Sequence, residues 1–184
     1  MRNNDDAFSG LEAAIIVIAL VVVAAVFGMS VMSSGFYASD QAKTTTTSGY
    51  KLASSTVYIE GGVYASLAGG AGTSLDKVWF AGGIPETGQE QDLRDMIIVY
   101  THSVDSSIVR EYTYGGPGGE TATTFGVDGD PVMLPGDKRT FRLAQVNGPI
   151  PGGWFTIEVK PKSGAATFVT YHLPDSFQGG SVLS

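Results

Sequence analysis

Cysteine is absent from the 184 residues. No disulfide can constrain the unfolded chain, and zinc–thiolate sites and cysteine nucleophiles are excluded. Histidine is scarce: His102 and His172 are the only two, and both fall in segments that read as strands. "THSVD" sets His102, Ser103 and Asp105 close together, but alternate strand residues point to opposite faces, so no nucleophilic triad can be read from it. Basic clusters are missing as well. With 11 Lys+Arg against 18 Asp+Glu and a net charge of −7, the chain offers no footprint for a nucleic-acid backbone. Asn3, Asn4 and Asn147 lie in no N-glycosylation sequon. The glycine-rich "GGAG" and "GGPGGE" precede no helix that could cradle phosphate, so they read as turns. No enzymatic activity is expected, and no cofactor. The weak exception is "DGD": Asp128 and Asp130 could hold calcium, although the EF-hand spacing and terminal glutamate are missing and Asp-Gly is common turn chemistry.

What is present is divided unevenly. Between Glu12 and Asp40 the only ionisable side chain is Tyr37, and Ala13 to Phe27 is apolar throughout. Leu11, Ile15, Ile18, Val22 and Val26 share one face of a helix, while Ile16, Val17, Leu20 and Val23 fill the others. A helix apolar around its whole circumference belongs in a bilayer or inside a thick protein assembly. Four consecutive β-branched threonines, Thr44 to Thr47, lower helix propensity near the polar end and allow a bend there.

From about Thr56 the pattern changes to strands. "TVYIEGGVYASL", "LDKVWFA", "DMIIVYTHS", "SIVREYTY", "ATTFGV", "KRTFRLAQV", "GGWFTIEVK" and "ATFVTYHL" are rich in Val, Ile, Thr and aromatics and are bounded by Gly or Pro. Their spacing predicts an α+β chain: a long N-terminal hydrophobic α-helix followed by an all-β, immunoglobulin-like sandwich.

Glu12 is out of place at the head of the apolar run, since a buried charge needs compensation. "A-FSGLE" followed by a continuous apolar segment resembles the class III signal of type IV pilin-like proteins. More narrowly, "FSGLEAAIIVIALVVVAAVFGMSVMSSGFYASDQAK" looks like an archaellin, an archaeal flagellin, including a small-residue break around Gly28 to Gly35. "DLRDMIIVY" and "LPGDKRTFRL" look like strands of that family's outer domain. The resemblance implies a leader over residues 1–7, an assembly helix over 8–55 and an outer sandwich over 56–184. It implies cleavage between Ala7 and Phe8, which makes Glu12 the fifth residue and gives Phe8 a free ammonium. Acidic Asp5 and Asp6 depart from the basic leader usual in the family. In a stacked array the ammonium of Phe8 can lie against Glu12 of a neighbour and fix the axial register, because an unpaired charge in an apolar core is strongly disfavoured. The residues alone also allow a capping box, with Ser9 as N-cap and Glu12 reaching back to it.

The function so implied is that of a structural subunit of the archaellum filament, for swimming motility. Its partners would be copies of itself or paralogous archaellins, a prepilin-type signal peptidase, the archaellum motor and its membrane platform, and the membrane before assembly. The chain would begin as a cytoplasmic-membrane-inserted precursor and end in an extracellular filament. An adhesion-type archaeal type IV pilin and a membrane-anchored, surface-binding sandwich domain remain the rival readings.

Overall fold

The structure, a computed structural model, describes residues 2–69, 73–103 and 109–182, with side chains from Ser9 to Ser181. Three sequence readings lie partly outside it: the turn "GGAG" beyond Gly69, Asp105 of "THSVD", and the first residues of "SIVREYTY". The chain divides into two compact units, Met1–Ser48 and Gly49–Ser184.

Helix α1 spans Arg2–Ser54. It runs without interruption through Gly28 and Gly35, so the expected small-residue break is no break in the backbone. Nor do the threonines end it. The hydroxyls of Thr44, Thr45 and Thr46 donate to the carbonyls of Asp40, Gln41 and Ala42 at 2.9, 2.9 and 2.8 Å, which satisfies these polar side chains within the helix itself.

The helix ends in a clamp. Ser55 is fully buried; its Oγ donates to the Lys51 carbonyl and accepts from the Gln89 amide at 3.0 Å. The side chain of Gln91, 2% exposed, donates to the carbonyls of Ser163 at 2.8 Å and Ser55 at 3.4 Å. Gly164, at φ +114°, lies so close to the Ser55 carbonyl that a Cβ would overlap it. These buried polar groups are satisfied, as burial demands.

Eleven strands follow: β1 (Tyr58–Leu67), β2 (Leu75–Gly83), β3 (Gln91–Asp92), β4 (Ile97–His102), β5 (Arg110–Gly116), β6 (Thr124–Val127), β7 (Val132–Met133), β8 (Lys138–Leu143), β9 (Trp154–Lys160), β10 (Thr167–His172) and β11 (Gly180–Val182). Nine of them form one sheet in the order β10-β9-β4-β5-β6-β8-β2-β1-β11, and β3 pairs with β7. The sheet curls until β1 approaches β10, so the two expected layers are the halves of a single sheet. Its halves join at β5 and β6, the one parallel pair among the strand pairings of the described residues.

A parallel pair ordinarily needs a crossover of about a dozen residues or more. Here residues 117–123 suffice, because Gly115 and Gly119 touch backbone to backbone where a Cβ on either would collide with the other. The Gly119 amide bonds the Gly116 carbonyl at 3.1 Å, and the Thr113 amide bonds Thr123 at 3.0 Å. The "GGPGGE" turn is real, yet it returns the chain alongside itself in the same direction.

Period-two patterning fills the core. β9 alternates Phe155, Ile157 and Val159 inward, and β8 points Phe141 and Leu143 inward. Phe80, Phe141 and Phe125 from β2, β8 and β6 form one ring series, with centroids 5.2 and 5.9 Å apart. Tyr100, Phe155 and Tyr171 from β4, β9 and β10 form the other, at 5.6 Å spacing. Each half of the sheet thus contributes its own aromatic stack to one core.

Candidate functional site

The apolar helix has no sheltered side. Leu11, Ile15, Ile18, Val22 and Val26, the expected packing face, are 56–65% exposed, and Ile16, Leu20 and Val23 on the remaining faces are just as open. From Ser9 onward the helix is long and apolar enough to cross a membrane. Burying one such aliphatic side chain removes an exposure worth roughly 1.5–3 kcal/mol, so a helix bare on every side is a segment shaped for surroundings it lacks as a monomer. Between bilayer and neighbours the difference is packing, since lipid tails are as apolar as leucine. Gly28 and Gly35, seven residues apart on one face, have nothing within 4 Å of where a Cβ would stand, which leaves the backbone open to close approach.

Glu12 lies exposed in this helix. The helix continues upstream through Ala7 and Phe8 to Arg2, so Ser9 is an interior residue here and not its N-cap. Carboxylates such as Asp5 and Asp6 suit the first turns of a helix electrostatically. Only removal of residues 1–7 would bring Ser9 to the end of the helix, in the position a cap needs. The side chains of Ala7 and Phe8 lie outside the described ones.

The other singled-out groups are engaged in holding the sheet together. Asp128 receives Arg142 in a two-pronged ion pair, 2.6 Å at each oxygen, and its carbonyl accepts from Arg139 at 3.0 Å. The hydrogen bonds from Arg142 hold the Asp128 carboxyl below its ordinary range. Asp130 is exposed at the same turn. A cation at "DGD" would compete with the Arg142 guanidinium for both Asp128 oxygens. Among the described residues, no group of three or more His, Asp or Glu side chains gathers into a metal-sized cluster. His102 points into the core beside Tyr100, with ring centroids 5.9 Å apart, while His172 is exposed on the edge strand β10. Ser103 Oγ accepts the Trp154 amide at 3.2 Å. Among the described residues, the structure brings none of these together into a catalytic arrangement; Asp105 lies outside them.

The Ser55–Gln91 clamp was not foreseen from the sequence. A serine pair before a strand and a glutamine in "QEQD" carry no pattern that announces burial.

Comparison with known proteins accords with this geometry. Residues 7–171 match the family model of archaeal-type flagellins. Probable flagellin 2 of Archaeoglobus fulgidus is 31% identical over 195 aligned positions, covering 96% of this chain and 94% of that one. A chain of the archaeal flagellum of Methanospirillum hungatei strain JF1 is similar with a TM-score of 0.65 at 33% identity, over 95% of this chain and 99% of that chain. A crystal structure of an archaeal flagellin from Methanocaldococcus jannaschii shares the fold at a TM-score of 0.54, with 12% identity over 69% of this chain and 96% of that one. The chain belongs to the archaeal-type flagellin family.

Proposed function

We propose that this chain is the structural subunit of the archaellum filament, polymerising through α1 to build the filament that turns for swimming. The observation that carries this reading is the helix exposed on every side, with Leu11 61% and Val26 65% open to solvent. Many parallel copies of the same helix would cover it on all sides at once. The precursor sits in the cytoplasmic membrane through this helix. A prepilin-type signal peptidase removes residues 1–7 between Ala7 and Phe8. The new Phe8 ammonium then meets Glu12 of a neighbour, so that lipid is exchanged for identical helices in register. The motor and its membrane platform supply the torque; the polypeptide itself carries no reaction.

Amino-terminal sequencing of sheared cell-surface filaments tests this. The expected result is this chain beginning at Phe8. A chain recovered only in the membrane fraction, or a filament lacking it, overturns the reading. Ala7→Asp should leave the precursor uncleaved in the membrane.

A further inference from the structure

From Tyr58 onward, the most exposed large apolar side chain among the described residues is Phe168, at 71%. It stands on the outward side of β10, one edge of the nine-stranded sheet. In register behind it come Glu158 on β9, Val99 on β4 and Glu111 on β5. The row is an apolar knob backed by Glu158, which Lys160 already pairs at 3.1 Å, and by Glu111, unpaired among the described residues.

A different patch lies toward the other end of the strand order. On the outward side of β1 and β2, Tyr64 is paired with Trp79, and Trp79 in turn with Arg142 of β8. Two glycine pairs strip side chains from the floor around these rings: Gly61–Gly62 within β1 and Gly179–Gly180 at β11. On the β11 side the result is an apolar hollow of about 460 Å³ beside Tyr64, Leu67 and Trp79. Lys77 stands next to it, exposed and opposite Ser66. Among the described residues, neither Lys77 nor Glu111 has an ion-pair partner, although six other cations of the β unit do.

An open helical polymer needs contacts between two different patches, because a patch that meets its own copy closes a dimer. An exposed aromatic knob with the unpaired Glu111 behind it and an aromatic-walled hollow with the unpaired Lys77 beside it are complementary in charge, and the one projects where the other recedes. Resting on the subunit reading above, we infer that Phe168 of one outer domain seats in the Tyr64–Trp79 hollow of a neighbouring copy, with Glu111 facing its Lys77. The occupant is a second copy of this chain, and the contact is lateral, separate from the helix core.

The absence of cysteine makes this directly testable in the assembled full-length chain. Ser66→Cys marks the rim of the hollow, and Thr170→Cys marks the strand beside Phe168 while keeping the knob. Filaments carrying both, treated with a short bis-maleimide, should give a ladder of dimers, trimers and higher species on a denaturing gel. Filaments carrying either one alone should give monomer. Adding Phe168→Ser to the double variant should remove the ladder. Lys77→Glu should lower filament yield several-fold, and Glu111→Lys in the same chain should restore it. Double-variant filaments that give only monomer overturn the contact and leave the subunit reading standing. Dimers from a single variant indicate a twofold contact and overturn it equally. Absence of the parent chain from sheared filaments overturns both.

Discussion

Glu12 carries two candidate roles that one substitution separates, because a capping box accepts glutamine nearly as well as glutamate whereas an ion pair requires charge. If charge register governs assembly, Glu12→Gln should be processed normally and stay in the membrane, since each assembled copy would bury an uncompensated amine at roughly 3–5 kcal/mol. Normal filament yield from that variant would leave capping as its whole contribution. Two tyrosines pose a different residue-scale question. Among the described residues, the hydroxyls of Tyr100 and Tyr112 are buried and meet no hydrogen-bond partner. Burial raises the Tyr112 phenol to about 12 and raises that of Tyr100 as well, with the neighbouring Tyr112 adding to the second and the Arg110 charge opposing both. A phenol whose folded value lies above its unfolded one contributes stability that is fully present below the unfolded value. The contribution is lost as pH rises through the window between the two. Denaturant titrations should therefore show stability constant up to about pH 10, then falling by about 1.4 kcal/mol per pH unit for each of the two. Tyr112→Phe should halve that slope and, by removing an unsatisfied polar group, leave neutral-pH stability unchanged or raise it by up to about 1 kcal/mol. A loss above 1 kcal/mol at neutral pH would show that the hydroxyl is satisfied in solution.

Among the elements, the Gly115–Gly119 contact decides how the two halves of the sheet are joined. Gly115→Ala puts a methyl group into the Gly119 carbonyl. It should cost about 1–3 kcal/mol or more of outer-domain stability, against a few tenths for a substitution at an exposed turn. Equal melting temperatures for Gly115→Ala and the parent would mean that the loop relaxes and that the parallel pairing does not depend on this contact. The same elements show what could be read in the chain beforehand. The eight longer strands announced themselves because each carries β-branched or aromatic residues, several of them, β8 and β9 above all, alternating with period two. β3, β7 and β11 did not: two or three residues such as Gln91–Asp92 or Val132–Met133 hold no period. The parallel pairing of β5 with β6 was also hidden, since glycine chemistry marks a reversal and does not tell which strand lies beside which. In α1 the apolar circumference was plain, but its upstream extension to Arg2 was not, because "RNNDDA" is short and polar and helix starts are set by end effects worth only tenths of a kcal/mol to about 1 kcal/mol. The threonine run read as a weakness and is helical, since its hydroxyls return to carbonyls four residues back. Of the helix, the all-round apolar surface and the lone charge at Glu12 were legible in the sequence, while the role proposed for Glu12 rests on the family resemblance. The Phe168 knob and the Tyr64–Trp79 hollow were not legible, because they depend on which strands end up at the two edges.

At the scale of the whole molecule, the compact β unit begins at Gly49, seven residues before the strand pattern does, and the reason is Ser55. Its side chain and carbonyl, fully buried, bond to Gln89, Gln91 and Lys51 across the end of α1. A fragment cut at Thr56 would strip partners from Gln91, which is nearly fully buried, and from the Gln89 amide, each at about 1–3 kcal/mol. It would also open the contact made by Gly164. Residues 49–184 and 56–184, expressed alone, should therefore both be soluble, monomeric and β-rich, with the longer fragment melting several degrees higher, at about 2–8 °C per kcal/mol for domains of this general size. Gln91→Ala should destabilise both fragments, because the 2.8 Å bond to the Ser163 carbonyl is present in each, and should narrow the difference between them only by the weaker 3.4 Å bond to Ser55 that the longer one keeps. Coincident melting curves for the two fragments would show that the clamp adds nothing to the outer domain. Neither fragment should polymerise, since the lateral knob-in-hollow contact acts only between domains already held side by side by their helices. Filaments from either fragment would make the outer domain, and not α1, the principal element of assembly.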